Sequence, residues 1–406
     1  MEKQKCPEIR FNKFKEAWIE TTLGDVVDIV GGGTPDTNVP EFWNGEIDWY
    51  SPTEIGNSVY ANGSVKTITK LGLKNSSAKI LPAKRTVLFS SRAGIGDMAI
   101  LNKDAATNQG FQSFIANNID VYFLYSMGFK IKKFALSKAS GSTFLEISRN
   151  QLAQMEFLAP LIDSDEQKHI GQFFQNLDQS IALHEKKLAQ TQNFKKAMLE
   201  KMFPKQGRNC PEIRLKGFSG DWNIEAIGDV LQEVFRPINL DNGTKYRLVT
   251  VKRRNGGIAE RAILKGKDIL VKSQFEVKAG DYIISKRQVV HGATGLVPPE
   301  LDGSVVSNEY LVGQGTEKLS IEFFSLLSTL PEMYQKFFLS SYGVDIEKLF
   351  FDVNDWKKRE VLLPPLEEQV QISAFFKQVD KTLNLQQQQL QTLKNLKQAL
   401  LEKMFV

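Results

Sequence analysis

Two segments of this chain occur twice, and the repeat limits what the chain can fold into. CPEIR at Cys6 to Arg10 returns at Cys210 to Arg214, and Phe14, Trp18, Gly24, Asp25 and Val26 return as Phe218, Trp222, Gly228, Asp229 and Val230, always 204 residues on. A second block, Gln167, Ile170, Phe173, Phe174, Asp178, Leu188 and Lys195, returns 202 residues on as Gln369, Ile372, Phe375, Phe376, Asp380, Leu390 and Lys397. Both copies of it run to LEKMF, at Leu199 to Phe203 and Leu401 to Phe405. The stretches between the blocks share little. A divergent middle on a repeated frame implies two ligand-reading surfaces of different chemistry.

At 406 residues the chain has room for two or three domains, each able to bury a core, and the repeat favours two. Its 42% hydrophobic and 24% charged residues are ordinary for a folded protein. A net charge of +5 suits a polyanionic partner without demanding one. No apolar run reaches the roughly 18 residues that span a bilayer, and MEKQKCPEIR lacks a signal-peptide core, so a cytoplasmic location without a membrane partner is expected. Cys6 and Cys210 are repeat equivalents. With His169, His184 and His291 scattered, no metal-ligand spacing arises, and no disulfide is expected.

Periodicity organises each half in the same way. Thr86 to Phe89 and Tyr282 to Ser285 read as strands, and amphipathic stretches over 119–138 and 321–339 read as helices packed on them. After Pro160 and Pro365, acidic residues (Asp163, Asp165 and Glu166; Glu367 and Glu368) open long patterns with Gly171 as their single glycine and no proline, which predicts helix starts. The resulting boundaries are 1–160, 161–208, 209–364 and 365–406. A heptad seam runs through Ile170, Phe174, Leu177, Ile181, His184 and Leu188 in one helix, and through Ile372, Phe376, Val379, Leu383, Gln386 and Leu390 in the other.

A helix from Asp165 to Phe203 would be about 58 Å long, more than a small domain can bury, so the two stripes are expected to cover each other. His184 and Gln386 mark the helix centres, and antiparallel pairing would bring them together, either as a buried polar pair that sets register or as two partly exposed side chains. The expected fold class is α+β: two α/β domains separated by two long antiparallel, coiled-coil-like helices, with an internal pseudo-twofold repeat.

Catalytic signatures do not emerge. VGGGTP lacks the Lys-Ser/Thr of a phosphate loop, and Pro35 leads into a turn. The Pro-Pro pairs stand as Val-Pro-Pro-Glu and Leu-Pro-Pro-Leu, not as the Asn/Asp-Pro-Pro-aromatic of adenine methyltransferases. Carboxylates are scattered rather than clustered with a lysine for metal-dependent cleavage, and the three histidines stand near no nucleophile turn.

Binding residues are more evident. Lys84 and Arg85, then Arg92 within Phe89 to Gly96, then Asn108 and Gln109 within Thr107 to Phe111, gather cations, amides and glycines in the first half. The second offers Lys252, Arg253 and Arg254, then Lys286, Arg287, Gln288 and His291 within Ser285 to Gly295, then Asn308 within Ser307 to Tyr310. Arginine can read guanine, and asparagine or glutamine adenine, by paired hydrogen bonds in the major groove, while lysine mainly holds phosphate.

The GGTP turn, PEFWNGEIDWYSP at Pro40 to Pro52, SRAGIG, NQGF, PPLEEQ and the twice-used LEKMF together resemble the specificity subunit of type I restriction-modification systems. The resemblance covers essentially the whole chain. It implies two target recognition domains, each followed by a long helix, with the helices acting as a ruler between readers of a bipartite, asymmetric double-stranded DNA site. It also implies a non-catalytic chain without its own cofactor. Two modification subunits would bring S-adenosylmethionine, and restriction subunits would use ATP and Mg. The family's recognition loops would fall on Arg92 to Gly96, Asn108 to Phe111, Lys286 to Gly295 and Asn308 to Tyr310. The second half departs from the pattern, with FRPINLDNGTKYRLVTVKRRNGG in place of the GGTP and WNGEIDW stretches. Two alternatives remain at this stage: a free-standing DNA-binding regulator, and an enzyme with an unrecognised nucleic-acid site.

Overall fold

The computed structural model describes residues 6–406 apart from 93, 142–144, 163 and 347–348. Two positions used above, Ala93 in the SRAGIG loop and Asp163 before the first long helix, lie outside the described residues. The chain divides into two compact units, Met1–Lys187 with Gln386–Val406, and Leu188–Leu385. Both divisions fall inside the long helices, Glu166–Lys201 and Leu366–Met404. The last residues of each helix therefore pack in the unit that the other helix follows in sequence.

Among the described residues of the first unit, a five-stranded sheet runs in the order Val27–Gly31, Gln112–Ala116, Thr86–Phe89, Met98–Leu101, Tyr60–Ala61. Its neighbours are antiparallel except the last pair. Thr86–Phe89 is buried on both faces, and period-two alternation decides what each side chain meets. Val87 and Phe89 join the cluster of Trp18, Phe123 and Phe174, and Leu88 joins Tyr50, Leu101 and Phe111. A three-stranded sheet places Trp43–Tyr50 between Lys66–Ile68, antiparallel, and Ala105–Thr107, parallel.

The second unit keeps this frame where the sequences have diverged. Its four-stranded sheet, Leu231–Glu233, Tyr310–Gly315, Tyr282–Ser285, Thr294–Leu296, follows the order of the first four strands above. Tyr282 and Ile284 face the core holding Trp222, Phe323 and Phe376, while Ile283 faces the opposite cluster. The companion sheet again sets a long strand, Lys245–Val251, between an antiparallel neighbour, Ile258–Lys265, and a parallel one, Ser304–Ser307. Gln274–Val277 and Pro237–Ile238 extend it to five strands.

Each amphipathic stretch expected as one helix is two. Val121–Ser126 gives way to Gly128–Lys138, and Ile321–Leu327 to Pro331–Leu339. At Gly128 a Cβ would lie 2.7 Å from Met98 Sδ, so the chain turns there against the sheet. Pro331 has no N–H to continue a helix but suits the first turn of a new one.

The repeated blocks form one clasp, built twice. Arg10 donates through Nε and Nη2 to the Glu166 carboxylate at 2.6 and 2.7 Å, and Arg214 does the same to Glu368 at 2.9 and 2.7 Å. The carboxylates are 2% and 1% exposed. The amide of Ile9 donates to the carbonyl of Lys403, and that of Ile213 to the carbonyl of Lys201, closing the C-terminal ends of the long helices. Gln167 accepts from the Asp120 amide and donates to the Pro160 carbonyl, as Gln369 does with Ser320 and Pro364. Phe405 packs against Phe123 and Phe174 in the first unit, and Phe203 against Phe323 and Phe376 in the second.

Within each unit the two helix segments run antiparallel. Lys397 pairs with Asp178 at 2.6 Å and Lys394 with Glu185 at 2.6 Å in the first, and Lys195 pairs with Asp380 at 2.5 Å in the second. The seam residues lie on the covered side: Ile170, Phe174, Ile181, Ile372, Phe376, Val379 and Gln386 are buried, and Leu177, His184, Leu188, Leu383 and Leu390 are half-buried. The register differs from centre-to-centre pairing. Glu185 meets Lys394, well beyond Gln386, and His184 Nδ1 lies 2.8 Å from its own helix's Ser180 carbonyl oxygen. The same alignment seats Phe405 against Phe174.

Replacing Arg214 by alanine strands the buried Glu368 carboxylate. We expect a loss of about 3 to 5 kcal/mol in urea unfolding followed by tryptophan fluorescence, with partial rescue by the double variant Arg214→Ala/Glu368→Gln.

Candidate nucleic-acid interface

In the first unit, motifs far apart in sequence meet beyond one end of the central sheet. The Ser91 amide donates to the Gly110 carbonyl at 2.8 Å, joining the loop after Thr86–Phe89 to the loop before Gln112–Ala116. The Asn108 amide donates to the Tyr50 carbonyl, and the Gly33 amide to the Thr107 carbonyl. Trp49 Nε1 donates to the Gly33 carbonyl at 2.9 Å, and the Thr34 hydroxyl reaches Gln109. Asn108 turns its Oδ1 onto the Gly110 amide at 2.8 Å, shaping the loop rather than pointing outward, whereas Gln109 is exposed. Burial, assisted by nearby Asp48, raises the Tyr50 phenol to about 12, so it stays protonated behind this loop.

Not every expected cation joins that group. Lys84 and Arg85 precede Thr86–Phe89 and Arg92 follows it, so a four-residue strand of roughly 13 Å separates them. Arg85 donates to the Ala116 carbonyl and Asn117. Lys84, at φ +59, lines a polar cleft of about 490 Å³ with Tyr60, Asn102, Asp120, Lys168 and Gln175. Near Arg92 in sequence, these residues are carried away from it by the direction of the strand between them.

In the second unit the expected residues do come together. The Arg254 amide donates to the His291 carbonyl and the Asn255 amide to the Gly292 carbonyl, which ties the turn holding Lys252, Arg253 and Arg254 to the loop after Tyr282–Ser285. Both turn residues have φ near +55°, at +58° and +55°. Lys286 Nζ donates to the Asn308 carbonyl at 3.0 Å, binding that loop to the one before Tyr310–Gly315. Gln288 is half-buried, and its carbonyl accepts from the amides of His291 and Ala293.

Two acidic residues escaped the sequence reading. Arg92 forms an ion pair with Glu146 at 2.8 Å, and Arg287 with Glu309 at 2.8 Å, which raises the Arg287 guanidinium above its ordinary range. Arg287 also lies 6.0 Å from the Phe350 ring centroid. Glu309 was visible as the neighbour of Asn308, but a search for cations passes over it. Glu146 stands more than fifty positions from Arg92 and carries no local signal. Among the described residues, no group of three or more His, Cys, Asp or Glu could hold a metal, and no helix is long and apolar enough to cross a membrane.

A family model described as the type I restriction modification DNA specificity domain matches this chain twice, at residues 15–193 and 219–395. A type I restriction enzyme MjaIX specificity subunit from Methanocaldococcus jannaschii is 23% identical over 98% of this chain and 94% of its own length. The EcoR124I/EcoR124II specificity subunit from Escherichia coli is 32% identical over 41% of this chain and 42% of its own. Among solved structures, a type I restriction-modification S subunit from M. genitalium superposes with a TM-score of 0.59 at 13% identity, covering 99% of both chains.

Gly32 tests how tightly the first loop set is built, since a Cβ there would lie 1.9 Å from the Asn108 carbonyl oxygen and 2.4 Å from that of Thr107. We expect Gly32→Ala to cost about 1 to 3 kcal/mol in thermal unfolding and to abolish nucleic-acid binding through the first unit.

Proposed function

The chain belongs to the family of type I restriction-modification DNA specificity proteins, and we propose that each of its two units reads one half of a bipartite, asymmetric DNA site. The observation that carries this reading is the reuse of one sheet frame with loops of different chemistry at the same end. Arg92 and Gln109 stand there in the first unit, and Arg287, Gln288 and His291 in the second. Side chains of these types distinguish base pairs by their major-groove edges.

Under this proposal residues 1–160 and 209–364 are the target recognition domains, and 161–208 and 365–406 are helical regions joined along the seam. Lys252 and Lys286 hold phosphate, while Lys84 lies at the opposite end of its strand from Arg92. Arg85, already spent on Ala116 and Asn117, and Asn108, spent on Gly110, support the loops. The chain supplies no reacting group. It presents the site to two modification subunits that carry S-adenosylmethionine, and it supports restriction subunits that use ATP and Mg, in the cytoplasm.

Binding by the full chain with a modification subunit, measured against a library varied in both half-sites, tests this assignment. We expect Arg92→Ala to relax selection in one half-site only, by about 1 to 3 kcal/mol at the base it reads. Lys252→Ala should weaken all sequences alike and reduce the slope of log K against log salt by about 0.9. Equal loss of selection in both half-sites with Arg92→Ala would refute it.

A further inference from the structure

Carboxylates beside a polyanion weaken binding, yet each unit sets one against the arginine at its reading end. In both pairs the carboxylate lies 2.8 Å from Nε, Glu146 Oε1 beside Arg92 and Glu309 Oε2 beside Arg287; Arg287 Nε donates a hydrogen bond to its acid, whereas Arg92 Nε donates none and its pair is held by charge. The acids come from unrelated places. Glu146 follows Gly128–Lys138 and bridges backbone to backbone with Ser140, while Glu309 immediately precedes Tyr310–Gly315. Two routes bring a carboxylate to the same atom of an arginine, which argues that the pairing is used.

The chemistry of the guanidinium says how. It offers five N–H donors in a rigid plane. An acid beside Nε orients the plane, by a hydrogen bond at Arg287 and by charge alone at Arg92, and leaves the Nη1 and Nη2 edge, the pair that spans the two acceptors of guanine. The same negative charge keeps phosphate away from that arginine. All four side chains are between about a third and three-fifths exposed, so the pairs add little to stability and the acids remain within reach of a ligand. In the second unit Phe350 backs the guanidinium from 6.0 Å.

We infer that Glu146 and Glu309 are positioning residues for base selection, each trading affinity for discrimination by holding one arginine edge-on to the base pairs. This rests on the DNA-reading function proposed above. The test uses the full chain assembled with its modification subunit and a double-stranded DNA library varied in both half-sites, with Glu146→Gln, Glu146→Asp and Glu309→Gln compared with wild type at several salt concentrations. Glu146→Gln should lower discrimination in the first unit's half-site about tenfold while leaving the other half-site intact and keeping or strengthening binding to unrelated DNA. Glu146→Asp should restore part of the discrimination, and Glu309→Gln should act only on the opposite half-site.

A purely structural role would lower thermal stability and both kinds of binding together, which overturns the inference, as does unchanged base preference in both glutamine variants. If either variant fails to fold, the other decides the matter alone. Wild-type protein that selects no split sequence removes the DNA-reading function itself, and this inference with it.

Discussion

The pairing of a buried carboxylate with an arginine from a distant lead-in segment organises this protein. Glu166 and Glu368 sit at the starts of the long helices, almost fully withdrawn from water, where an unpaired carboxylate would be costly. Arg10 and Arg214 satisfy them with two hydrogen bonds each, and the adjacent amides of Ile9 and Ile213 close the far ends of the partner helices. The sequence blocks that are written twice are the parts of this clasp. In the second unit the clasp is made by one continuous stretch of chain, Leu188–Leu385. In the first it needs both Met1–Lys187 and Gln386–Val406, so the end of the chain takes the place that Leu199 to Phe203 holds in the other unit.

With the ends of each unit fixed, the middle can change. Strand order survives where side chains do not, because a sheet buried on both faces asks only for apolar residues of suitable shape at alternate positions. Val87 and Phe89 are matched by Tyr282 and Ile284, and Leu88 by Ile283, without any shared sequence motif. The loops after one central strand and before its neighbour escape that demand. They carry Arg92 and Gln109 in one unit and Arg287, Gln288 and His291 in the other, which is how one scaffold comes to present two chemistries.

Much of this was legible in the sequence. The repeat, the long helices and the strands at Thr86–Phe89 and Tyr282–Ser285 are properties of local pattern, and the loops that meet beyond one end of each sheet carry the motifs singled out by family resemblance. What was not legible depends on contacts between distant residues. Helix register is visible in long-range pairs such as Glu185 with Lys394, which the symmetry of the two sequence patterns did not specify. Lys84 and Arg85 look adjacent to Arg92 in sequence, but one strand carries them to opposite ends of the sheet. Glu146 has no local mark, since its meaning lies wholly in the arginine it meets.

The central claim is that two independent readers act on one DNA. Mapping every methylated position in DNA from cells that carry this chain and its modification partner tests it most directly. We expect one motif of two defined parts separated by a fixed run of unspecified bases, with the two parts different from each other. A single contiguous motif, or two identical parts, would contradict the account.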